Sequence, residues 1–100
     1  MQLLHCKPGR LYLNLDAIAS IYPEANDDDT WRIIFSMKSG HCYIYYHKMT
    51  WGSAYYTTRY IAEELHDLSF EKKPIVELPL ILISEQTIVE AGLEVPSEPV

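Results

Sequence analysis

Basic residues are scarce in this chain: eight Lys and Arg stand against fourteen Asp and Glu, a formal net charge of -6 at pH 7 over 100 residues. That balance argues against electrostatic binding to nucleic acid or to an anionic membrane surface, both of which need a basic field. Cysteine is scarcer still. Cys6 and Cys42 are the only two, too few for a disulfide framework, and the paired-Cys spacing of structural zinc sites is missing. The glycines, Gly9, Gly40, Gly52 and Gly92, are scattered, so no Gly-rich phosphate loop exists. No apolar run approaches the ~20 residues of a membrane span. The opening MQLLHCKPGR has no basic segment leading into a long apolar core, so no secretory leader is expected. These absences point to a reducing cytoplasm.

What the chain has instead is tyrosine, eight of them against two Phe. Tyr joins an apolar body to a polar tip and suits half-exposed positions and binding surfaces. The length fits a single domain with one modest core.

Residues 30–46, TWRIIFSMKSGHCYIYY, organise the rest. Trp31, Ile33, Phe35 and Met37 alternate with Arg32, Ile34, Ser36 and Lys38, the period of a strand with one face buried. A second run, residues 41–47, is rich in Tyr and Ile. Ser39-Gly40 between them predicts a β-hairpin. Upstream, Pro8-Gly9 predicts a turn between two short strands. Asn14 or Asp16 can cap a single turn over residues 15–18. Residues 18–22 read as a strand stopped by Pro23, and residues 24–29 as a polar loop.

After the hairpin the period changes. Ala54, Ile61, Ala62, Leu65 and Leu68 recur at helical spacing, with Ser53 as the candidate N-cap. Residues 75–83, IVELPLILI, are apolar and strand-like but contain Pro79, which cannot donate to a ladder, so they read as an edge strand or an extended arm. Ser84 can cap a short helix that ends at Gly92.

The expected fold is α+β: an antiparallel sheet of four to five short strands packed by one main helix over about residues 53–68, with a C-terminal strand-like arm and short helix. Residues 1–73 form the sheet-plus-helix domain. Residues 74–92 pack on it or on a neighbouring subunit, and residues 93–100 are a flexible tail.

The stretch LYLNLDAIASIYPE, then a loop and RIIFSMKSGHCYIYY, resembles the small flagellar FlbD-type (SwrD) family. The matching positions are Leu13, Asn14, Asp16, Ile18, Ile21, Glu24, Ile34, Ser39 and Gly40. The resemblance covers residues 11–68 and implies a hairpin followed by a helix, a likeness of fold rather than function. The family pattern stops soon after that helix and lacks the Tyr-rich segment that follows Gly40 here.

Candidate chemistry is thin. His5-Cys6 and His41-Cys42 invite a metal reading, but adjacent strand residues point to opposite faces, so one dipeptide cannot easily supply two ligands. No metal, cofactor or catalytic set is expected. Asp27-Asp28-Asp29 lacks the spacing of a calcium loop. The stronger candidates are two surfaces. Tyr43, Tyr45 and His47 share a strand face and lead into Trp51, Tyr56, Arg59 and Tyr60, the residue types that anchor interfaces. The apolar arm, Ile75, Val76, Leu78, Leu80, Ile81 and Leu82, is expected to serve oligomerisation. The sequence therefore predicts a non-enzymatic module that binds a protein partner of unknown identity, as a homo-oligomer. An inhibitor or adaptor, such as a phage- or plasmid-type inhibitor, fits that description. The alternative is a small, nucleotide-like ligand held by the Tyr and Arg surface.

Overall fold

The computed structural model describes residues 2–7 and 11–99. The chain is α+β; the described residues form six strands in two three-stranded sheets, packed against one long helix, and a short helix near the C-terminus. The sequence pattern suggests one sheet. The first hairpin instead builds a sheet of its own. β1 (Leu3–Cys6) and β2 (Leu11–Asn14) run antiparallel, with Leu4 opposite Leu13; the predicted Pro8-Gly9 turn lies outside the described residues. Their third strand is β6 (Ile75–Leu78), which lies parallel to β1, Leu4 beside Val76 and Cys6 beside Leu78. β1 is thus the central strand, and Leu4, Leu13, Val76 and Leu78 are all buried.

The chain then turns once at Leu15–Ala17, where Asn14 accepts the Asp16 N–H at 3.1 Å, and enters the second sheet. This sheet is β3 (Ile18–Ala25), β4 (Trp31–Met37) and β5 (Cys42–Met49), antiparallel and in that order. β3 does not stop at Pro23 as the sequence suggests. It runs through it, Pro23 pairing with Ile33. β3 is an edge strand, and proline is tolerated there because its missing N–H faces no partner. The turn after β4 closes at Gly40, whose φ of +94° is a left-handed conformation that glycine adopts without strain.

Helix α1 (Trp51–Leu68) starts two residues earlier than the pattern suggests. Thr50 is its cap and accepts the Ser53 N–H at 3.2 Å. Starting there brings Trp51 against Trp31, ring centroids 4.7 Å apart. The buried stripe of α1 includes Ala54, Thr57, Ile61, Leu65 and Leu68, the three-and-four spacing of an amphipathic helix. Ala62 is exposed, and Thr57 completes the stripe in its place. One continuous apolar cluster joins α1 to both sheets. β6 ends at Leu78; residues 79–83 make no ladder, and α2 (Glu85–Glu90) follows, capped by Ser84.

Candidate binding surfaces

Strict alternation along β5 predicts Tyr43, Tyr45 and His47 on one face. Two register shifts break that period: Ile34 pairs with Ile44, but Ile33 pairs with Tyr46, leaving Tyr45 as a bulge residue. Tyr43 and His47 are exposed. Tyr45 instead turns inward and stacks on Phe35, 5.5 Å between centroids. Its hydroxyl accepts the Ile81 N–H at 2.9 Å and donates to the Pro79 carbonyl at 3.4 Å. Burial pushes the Tyr45 phenol above its ordinary pKa, so it stays protonated and able to donate.

Tyr45 is the first of three side chains that hold residues 79–83 by their backbone. Thr57 accepts the Ile83 N–H at 2.9 Å, and Ser53 donates to the Ile83 carbonyl at 2.5 Å. All of these bonds engage odd-numbered arm residues. Among the described residues, no hydrogen bond engages the backbone of Leu80 or Leu82. The side chains divide in the same way: Ile81 and Ile83 are half-buried, whereas Leu80 is 48% and Leu82 40% exposed. A period of two in both bonding and burial is that of an extended chain with one edge engaged. Of the arm residues singled out from sequence, Val76 and Leu78 lie in the chain's own core, while Ile75, Leu80 and Leu82 face outward.

Two clefts flank Tyr46 between β5 and this arm. One, of about 330 Å³, is lined by Cys6, Leu11, Ile44, Tyr45 and Leu80 among others. The second, of about 280 Å³, is lined by Lys48, Met49, Leu82 and Ile83 among others. Burial holds the Cys6 thiol at a pKa of about 11, so it is protonated near neutrality and a poor nucleophile. Cys42 is free and exposed, its sulfur 4.0 Å from the Tyr22 hydroxyl. Among the described residues, no three His, Cys, Asp or Glu side chains gather as a metal site, and no helix is long and apolar enough to cross a membrane.

The aromatic residues at the start of α1 lie together. Trp51, Tyr55 and Tyr56 form a continuous aromatic wall, and the Arg59 guanidinium sits 5.8 Å and 5.9 Å from the Tyr55 and Tyr56 ring centroids. Much of this wall is covered from within the chain. The Trp51 indole N–H donates to the Pro96 carbonyl at 2.7 Å, and the Tyr56 hydroxyl donates to the Glu94 carbonyl. Tyr60 remains exposed. The depression lined by Tyr56, Arg59, Tyr60, Glu63 and Leu93 measures about 190 Å³, below the roughly 300 Å³ at which small-molecule sites begin.

The roles of Ser53 and Thr57 in holding the arm were not legible. Ser53 reads as the helix cap and Thr57 as a gap in the apolar stripe; the one available signal is that they fall on the same helix face, four residues apart. No protein-family model, curated protein or solved structure matches this chain.

Proposed function

We propose that this chain is a non-enzymatic protein-binding module that works as a homo-oligomer, in the role of an adaptor or inhibitor. The observation that carries the reading is the free edge of the arm: two exposed leucines in an extended segment whose outward N–H and C=O groups have no hydrogen-bond partner among the described residues. Such an edge recruits another extended backbone. A second copy fits it by symmetry. Two arms crossing antiparallel at Ile81 place Leu80 of each opposite Leu82 of the other, and both hydrogen-bonding pairs are then satisfied by a two-fold axis. Ile44 and Tyr46 beside the arm supply further apolar surface. The protonated Cys6 thiol in the same cleft supports a binding role over a nucleophilic one.

The test is mass in solution. The full chain and its Leu80→Glu/Leu82→Glu double variant are compared by light scattering over roughly 10 μM to 1 mM, the range of weak short interfaces. The mass of the wild-type chain should rise toward that of a dimer, and that of the variant should stay at one chain, with a melting temperature equal to that of the wild type at the dilute end of the range. A wild-type chain that stays monomeric throughout, or a variant that dimerises equally well, overturns the reading.

A further inference from the structure

The C-terminal residues lie on α1 in an ordered way. The two donors that hold them, Trp51 and Tyr56, are five residues apart on the helix, a rise of about 7.5 Å. The two carbonyls they reach, Pro96 and Glu94, are two residues apart, about 6.6 Å in an extended chain. The order of the pairs means that the tail runs antiparallel to the helix. Leu93 continues the line, lying over Tyr56, Arg59 and Tyr60. Between the two donors sits Gly52. A Cβ there would lie 3.2 Å from the Val95 Cγ2 and 2.8 Å from a Glu85 oxygen, so the missing side chain is what lets the tail approach. Val95 precedes a proline and is held extended, and Pro96 has a fixed φ and no N–H to satisfy.

An aromatic wall with indole and phenol donors aimed at the carbonyls of a stiff, proline-bearing segment is the chemistry by which proline-rich peptides are recognised. We propose that the groove of Trp51, Gly52, Tyr55 and Tyr56 is a docking site for an extended, proline-bearing segment of a partner protein, and that residues 93–96 hold it closed. The resident tail competes from an effective concentration of about millimolar, so a partner must either exceed that or displace the tail by further contacts. This groove is separate from the arm edge and stands whether or not the chain self-associates.

The full chain carrying Val95→Asp tests this. That change sets a second carboxylate beside Glu85 and dislodges the tail, while Val95, 42% exposed, is no core residue. The readout is the Trp51 indole N–H resonance, with the Ile61 and Leu65 methyl signals confirming that α1 stays packed. In the variant this resonance should move away from its wild-type position. A peptide with the sequence of residues 91–99 should return it saturably at or below about millimolar concentration. An indole signal unmoved by Val95→Asp, no return at millimolar peptide, or equal return by a scrambled peptide overturns the proposal.

Discussion

Thr57 and Thr58 are neighbours on α1, the first fully and the second partly buried, and their hydroxyls differ: that of Thr57 accepts the Ile83 N–H, whereas the buried Thr58 hydroxyl has no partner among the described residues. The same substitution should therefore act in opposite ways. Thr57→Val keeps the volume but orphans the Ile83 N–H, at a cost of about 1–3 kcal/mol. Thr58→Val removes a hydroxyl that is already unsatisfied, and stability should hold or rise. Thermal melts of the two variants check this, at roughly 4–8 °C per kcal/mol for a chain of this size. Equal losses would mean that the arm is not held through Thr57. The pair also marks a limit of sequence reading at this scale. Hydrophobic period picks out Ala54, Ile61, Leu65 and Leu68 because they are apolar, and it passes over a threonine that is fully buried because its worth lies in a bond to a segment 26 residues away.

At the scale of elements, alternation and turn residues made the β4–β5 hairpin and the helix legible, and Asn14 and Ser84 cap where their side chains suggest. Element ends were less so. Thr50 and Ser53 are both able to cap α1; the choice falls to Thr50 because Trp51 packs on Trp31 and Ser53 is engaged by the arm. The β5 bulges depend on pairing, which no single strand encodes. The loop between β3 and β4 carries its own prediction. Asp28 accepts from the Thr30 hydroxyl and lies 3.0 Å from the Lys48 ammonium. These partners, the Thr30 bond first, lower its pKa from 3.8 to about 2. A depressed carboxyl contributes stability above its ordinary pKa and loses that contribution as pH falls toward the folded value. The melting temperature should thus fall less between about pH 4 and 2 in Asp28→Asn than in the wild type, and the variant should be the less stable of the two near neutrality. Parallel curves for the two proteins would show that the loop contacts contribute nothing in solution.

The whole molecule is closed by a pairing that local pattern cannot reveal. β6 joins β1 across some seventy residues, its ladder flanked by the Leu3 N–H on the Pro74 carbonyl and the Lys7 N–H on the Leu78 carbonyl, each at 2.9 Å. An apolar run late in the chain announces a strand or an arm but not its neighbour, because nothing in its period distinguishes its own first sheet from another subunit. Leu78 is fully buried and belongs to the cluster that also holds Ile33, Phe35 and Ile61, so the two sheets share one core although no strand joins them. Cutting Leu78 to Ala should cost about 2–5 kcal/mol, enough to lower the melting temperature by roughly 10 °C or more. Both tryptophans lie outside the sheet that holds Leu78, Trp31 on β4 and Trp51 at the start of α1. Tryptophan fluorescence therefore reports on the far side of the core. If the core is one cooperative unit, fluorescence and far-ultraviolet circular dichroism will shift together in Leu78→Ala. A fluorescence transition that stays at the wild-type temperature while part of the dichroism melts early would show that the first sheet unfolds alone. Leu82→Ala is the control: its side chain lies on the exposed edge of the arm, so the melting of the monomer should change little.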